Sequence, residues 1–330
     1  MTSRSSHTTT LRKLLQAARK ALKEALDVSF ILFRVMVPVI IVVKFLQEAG
    51  AVGVLASILS PVMRVVGLPG EMGLVWATAL VTNLYGGIAV FLSLAPETPL
   101  TVAQVTVLAS MMLVAHAMLI ELRVAQKAGV RMRFLGTARL VSAFLLGLLL
   151  HLIYSVTGTL QGPSRLLWKP TPPGGSLQSW ALGQLRNLVM IFVIVLVLVI
   201  LMKALRRLGV TRLLNRALRP VLTSMGIGES AATITLVGML LGLSYGGGLI
   251  IKEARSGRLS SRDVFFSVSL MALAHAVIED TLLMTSLGAN LSGVLFGRVL
   301  FAWLMTAALA RLLSRVPERI FDRWFYRPGT

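Results

Sequence analysis

A duplication in strongly apolar sequence constrains this chain more than any other feature. Gly50 to Gly67 (GAVGVLASILSPVMRVVG) is matched about 159 residues later by Gly209 to Gly226 (GVTRLLNRALRPVLTSMG), with Pro61 falling on Pro220. Tyr85-Gly86-Gly87 returns as Tyr245-Gly246-Gly247, shifted by one further residue. Ala115-His116-Ala117, followed by Glu121, returns as Ala274-His275-Ala276, followed by Glu279 and Asp280. Two copies in series imply two related structural units. Glycine interruptions and ionisable residues at matching places of apolar segments are what a transporter built from repeats carries.

Apolar residues make up 56% of the sequence and the mean hydropathy is +0.81, too apolar for a soluble domain of this length. Val189 to Met202 (VMIFVIVLVLVILM) is an uninterrupted apolar run. With its flanks it approaches the roughly 20 residues that span hydrocarbon. Similar stretches lie near 28–46, 101–121, 135–157, 263–287 and 291–313. The expectation is an all-α polytopic membrane protein. The absence of cysteine excludes disulfides, thiolate metal sites and iron–sulfur clusters. The formal charge of +20 falls in five clusters, Arg12 to Lys23, Arg123 to Arg139, Lys203 to Arg219, Lys252 to Arg262 and Arg311 to Arg327. Each flanks an apolar segment, which the positive-inside rule explains without a nucleic-acid partner.

Placing all five clusters in the cytoplasm sets the topology. Segment 28–46 crosses outward, 101–121 inward, 139–157 outward, 181–202 inward, 263–287 outward and 291–313 inward. Equivalent segments then run in opposite directions, so the copies are inverted-topology repeats with about three spanning helices each. The expected divisions are a basic amphipathic interfacial helix at 1–27, repeat 1 at 28–157, an external linker at 158–180, repeat 2 at 181–315 and a basic cytoplasmic tail at 316–330. The N-terminal helix would lie on anionic lipid of the inner leaflet. Residues 47–100 and 204–262 each hold an amphipathic stretch and then an apolar one broken by YGG. Either both stretches span, or the first is interfacial and the second a re-entrant hairpin. Arg212, Arg216 and Arg219 are expensive to insert and favour the hairpin.

Two sets of residues are candidates for chemistry. Gly86, Gly87, Gly246, Gly247 and Gly248 sit within apolar stretches, where non-helical backbone is tolerated only if it is buried in protein or lines a wet cavity. Such breaks in corresponding halves suggest a substrate site, to which Asn83, Tyr85, Ser244 and Tyr245 add polar groups. Close helix packing through small residues is the competing explanation. His116 and His275 lie deep within their segments, where ionisable groups are functional candidates. His275 and Glu279 share a helix face at four residues' spacing and can pair; Asp280, five away, faces elsewhere unless the helix is distorted. Glu121 accompanies His116, or else marks the boundary near Arg123. A buried histidine beside carboxylates suits proton coupling. No NTP-binding or hydrolase motif appears.

The residues GGGLIIKEARSGRLSSRDVFFSVSLMALAHAVIEDTLLM (Gly246 to Met284) resemble the nucleoside recognition, or Gate, domain family, and Tyr85 to Gly129 resembles a second, more divergent copy. The family joins bacterial membrane proteins and spore maturation proteins to concentrative nucleoside transporters and the membrane part of the ferrous iron transporter. The resemblance implies inverted repeats with an interfacial helix and a re-entrant hairpin each. It also implies a midplane site between hairpin tips and broken helices, here Asn83 to Gly87, Ser244 to Gly248 and the helices bearing His116 and His275. The missing GTPase domain and cysteine argue against iron. The reading is thus a secondary transporter of a small polar solute, nucleoside-like solutes included, with a proton as candidate coupling ion. It would sit in the bacterial inner membrane with both termini cytoplasmic, as a monomer or homo-oligomer, with no enzymatic activity, cofactor or resident metal. The alternatives are a membrane accessory or signalling protein on a transporter-like fold, and an intramembrane metal-binding protein or enzyme.

Overall fold

The computed structural model describes residues 3–166, 176–224 and 227–327. It is an all-α polytopic membrane protein with, among the described residues, six helical segments long and apolar enough to cross a membrane. Repeat 1 comprises α1 (Ser3–Glu48), α2 (Ala51–Val65), α3 (Glu71–Val81), α4 (Leu84–Leu94), α5 (Val102–Val114), α6 (Met118–Lys127) and α7 (Met132–Thr157). Repeat 2 comprises α8 (Leu177–Arg207), α9 (Val210–Ser224), α10 (Glu229–Leu241), α11 (Leu243–Arg255), α12 (Ser261–Leu273), α13 (Val277–Ser286) and α14 (Arg298–Leu313). A π-helical turn, Ser292–Gly297, leads into α14, and a short α15 (Glu318–Trp324) ends the described chain.

Contacts at both faces establish the inversion. Glu24 on α1 pairs with Lys203 on α8 at 2.5 Å, while Lys44 stands 5.8 Å over the Trp180 ring. Rising numbers on one helix meet falling numbers on the other, so these equivalent helices are antiparallel. The central spans repeat the pattern. The basic face joins the start of α7, just after α6, to the start of α12 through Phe134 and Phe265, ring centroids 5.4 Å apart. At the opposite face the start of α5 meets the end of repeat 2's span, where Asn290 N–H donates to Thr106 Oγ1 at 2.9 Å. Spans 102–127 and 261–286 are 78% and 83% buried, against 22–33% for the other four. The broken pair therefore forms the centre, and the continuous helices form the lipid-facing ring.

The segments between are hairpins. The arms α3 and α4 have 11 residues each, about 16 Å at 1.5 Å per residue, half of a hydrocarbon core about 30 Å thick. A Cβ on Gly87 would meet Ala79 Cβ at 2.7 Å, and one on Gly246 would meet Gly238 Cα at 2.2 Å. The arms thus fold back on each other. The chain turns at Thr82–Asn83 in repeat 1 and at Gly242 (φ 93°) in repeat 2, upstream of the YGG motifs. The glycines themselves are helical, in the first turns of α4 and α11. They are not the breaks expected from sequence; Gly87 and Gly246 are instead points of closest approach between arms, where a side chain has no room.

One expected division is not a break in the chain. The segment 1–27, set apart as an interfacial helix, continues without a break into the first span, because nothing at Asp27-Val28 stops α1. The tail expected at 316–330 is docked where it is described. Phe321 is buried against Phe265, Arg262 donates to the carbonyls of Leu313 and Val316, and Arg327 N–H donates to Gly129 O at 2.7 Å. Residues 167–175 of the linker lie outside the described residues.

Candidate functional site

The centre of the molecule is where both broken spans come apart. Helix α5 ends at Val114 and α6 restarts at Met118; α12 ends at Leu273 and α13 restarts at Val277. Each gap holds one Ala-His-Ala. Its second alanine, Ala117 or Ala276, has a φ of 46°, a left-handed conformation that costs a non-glycine residue roughly 1–3 kcal/mol. The hairpin tips lie against these gaps. Ala117 N–H donates to Ala79 O at 2.9 Å, and a Cβ on Gly242 would touch Ala276 Cβ at 3.9 Å.

Interrupting a helix orphans carbonyls at one broken end and N–H groups at the other. Arginine serves the carbonyl ends. Arg139, wholly buried on α7, donates from Nε to Val114 O (3.0 Å) and from Nη2 to His116 O (3.2 Å). Arg298 on α14, equally buried, donates from Nε to Leu273 O (3.2 Å) and from Nη2 to His275 O (2.6 Å). Carboxylates occupy the other ends: Glu121 in the first turn of α6 and Glu279 and Asp280 in the first turn of α13, where the helix dipole favours negative charge.

The histidines meet across the two halves. His116 Nε2 and His275 Nε2 are 3.3 Å apart, 159 residues apart in sequence. Each ring's Nδ1 lies against the carbonyl four residues earlier, Met112 O at 2.9 Å and Met271 O at 3.0 Å. A carbonyl only accepts, so Nδ1 carries the hydrogen and the neutral ring presents a lone pair at Nε2. Glu121 Oε1 completes the group, 3.5 Å from His116 Nε2 and 3.1 Å from His275 Nε2. Its other oxygen is 2.5 Å from Arg139 Nη1. Asp280, the positional counterpart of Glu121, stands 3.9 Å from Arg298 Nη2. Three acceptor atoms from two halves of the chain therefore converge on one buried point.

The structure brings together His116, Glu121, His275 and Asp280, and corrects how they were grouped. The expected i,i+4 spacing of His275 and Glu279 presumed a continuous helix, but His275 lies within an interruption at 274–276. That distortion brings Asp280 to the centre, and Glu121 of the other half contacts His275 Nε2. Glu121 is a buried central residue, not a boundary one. Tyr85 lies within electrostatic reach of Glu279 and Asp280. Asn83 is used internally, its Oδ1 accepting from Gly86 N–H at 2.9 Å to cap α4. Gly86 and Gly247 are buried in their hairpins, whereas Gly248 is exposed. The side chains of Ser244 and Tyr245 lie outside the described residues. Neither arginine stands out in the sequence. Arg139 falls at the end of a basic flanking cluster and Arg298 is a single charge in an apolar run, and only their equivalent places in the two repeats mark them.

Fold and centre together define a polytopic membrane protein of two inverted repeats joined at a buried histidine–carboxylate junction. The chain is 30% identical over 285 residues to the uncharacterized membrane protein YvoD of Bacillus subtilis (strain 168), a match covering 84% of this chain and 88% of that one. It belongs to that family. No family model and no solved structure matches it.

Proposed function

We propose that the protein is a secondary-type transporter of a small polar solute in the bacterial inner membrane, with a cation held at the junction of the two repeats as its coupling or carried ion. The observation that carries this reading is the convergence of His116 Nε2, His275 Nε2 and Glu121 Oε1 within 3.5 Å of one another. Three lone pairs facing one another in a buried place repel unless a positive charge lies among them. A proton is the smallest such charge. The junction is also the seam between inverted repeats, where relative movement of the halves exposes a bound ion to either side. The basic clusters support cytoplasmic termini. The Gate-domain resemblance makes nucleosides the first solutes to try.

Proteoliposomes loaded with labelled nucleosides, nucleobases or amino acids test the reading. Flux above protein-free vesicles, lost in Glu121→Gln, is the expected result. If folded protein moves none of these classes under an imposed pH or cation gradient, the transport reading falls.

A further inference from the structure

We propose that the junction binds one divalent transition-metal cation through His116 Nε2, His275 Nε2 and the Glu121 carboxylate, with Asp280 closing the fourth position. This rests on the transporter reading only for what the ion does, not for its binding.

Geometry is the first argument. The three acceptors form a triangle with edges of 3.3, 3.5 and 3.1 Å. A tetrahedral ion with metal–ligand bonds of about 2.0–2.1 Å has neighbouring ligand atoms about 3.3–3.4 Å apart. The triangle therefore matches one face of such a tetrahedron with the side chains as they stand. A single proton, held along one line between two atoms, satisfies only two of the three acceptors.

The fourth ligand is already near. Ligand atoms of His116, His275 and Asp280 all lie within 4.8 Å of one another, and all three residues are buried. Asp280 Oδ2 accepts no hydrogen bond among the described residues, and its guanidinium neighbour is 3.9 Å away. A small rotation of this carboxylate would complete the coordination.

The surroundings are those that orient metal ligands. Both imidazoles donate Nδ1–H to backbone carbonyls, which fixes the tautomer with Nε2 as the ligand atom. Arg139 holds the distal oxygen of Glu121 and leaves Oε1 toward the histidines. Donor type narrows the ion. Two imidazoles with carboxylates and few positions suit zinc, cobalt and related ions. Magnesium and calcium take six or more oxygens, and a chain without cysteine offers no thiolate for softer ions.

Full-length protein in detergent, stripped with chelator and dialysed against Zn²⁺ or Co²⁺ in excess Mg²⁺, tests the site by elemental analysis. One ion per chain is expected, with a tetrahedral Co²⁺ absorption spectrum. His116→Gln/His275→Gln should abolish that binding, and Glu121→Gln should weaken it about tenfold or more. Unchanged melting temperatures of the metal-free variants would attribute the loss to ligands rather than to unfolding. Should the double variant not fold, Glu121→Gln alone decides. No bound metal in the wild type, or undiminished binding in these variants, overturns the site. Because binding is read without flux, the two readings fail separately. Solute flux from a wild type that binds no metal sinks the metal site and keeps the transporter; stoichiometric metal without any flux does the reverse.

Discussion

Arg139 and Arg298 do the same work at the two broken ends of the central spans. Each is wholly buried, and each donates from Nε and Nη2 to two carbonyls that the interrupted helix leaves unserved. They differ in their acids. Arg139 meets Glu121 at 2.5 Å, whereas Arg298 stands 3.9 Å from Asp280.

That asymmetry predicts unequal costs. Arg139→Ala strands two carbonyls and a buried carboxylate and should destabilise the fold by about 3–5 kcal/mol. Arg298→Ala strands the carbonyls with a looser carboxylate contact and should cost about 2–3 kcal/mol. Lysine should restore neither, since one ammonium lacks the fork that spans two carbonyls. Thermal unfolding in detergent, followed by tryptophan fluorescence, reads both; equal losses would discard the distinction.

The hairpin glycines give a second contrast. A Cβ on Gly246 would lie 2.2 Å from Gly238 Cα, backbone that cannot step aside, while a Cβ on Gly248 meets nothing within 4 Å. Gly246→Ala should therefore cost about 3 kcal/mol or more. Gly248→Ala, on the open side of α11, should be neutral or stabilising by up to about 1 kcal/mol. Melting temperatures that move together would refute the arm-packing role.

Inversion is open to chemical labelling, and the natural absence of cysteine supplies a clean background. Gln126→Cys and Ser256→Cys lie toward the basic face, and Glu97→Cys and Thr159→Cys toward the other; all four positions are exposed. A membrane-impermeant maleimide applied to intact cells should label only Glu97→Cys and Thr159→Cys. Labelling of Gln126→Cys but not Ser256→Cys would contradict the antiparallel halves.

The docked C-terminal helix makes a fourth case. Phe321 is 1% exposed, 5.2 Å from the Phe265 ring and 4.8 Å beneath the Arg262 guanidinium. Phe321→Ala should cost about 3–5 kcal/mol and release α15. Limited proteolysis should then cut within 314–327 much faster than in the wild type; equal rates would show that the ring does not hold the tail.

Much of this was legible in the sequence because it depended on composition and on local order. Runs of about 20 apolar residues announce spans, and the basic clusters oriented them well enough to reveal opposed copies. His116, Glu121, His275 and Asp280 could be nominated because ionisable groups deep in apolar segments are costly. Assigning roles was harder. The YGG motifs drew attention to glycine as a chain-breaker, yet Gly87 and Gly246 are helical and needed for closeness, while the turns fall at Thr82–Asn83 and Gly242.

What the sequence determined by itself was the number of spans, their duplication, their inversion and the buried residues worth asking about. What only the tertiary structure decided was which of those residues meet. His116 reaches His275 because antiparallel halves bring together atoms 159 residues apart, a distance beyond any local periodicity. Asp280 stands at the junction, although it lies five residues beyond His275, because the span is interrupted at 274–276. Helical spacing holds only within an unbroken helix, and here the break turns the next half-helix and redirects its carboxylates.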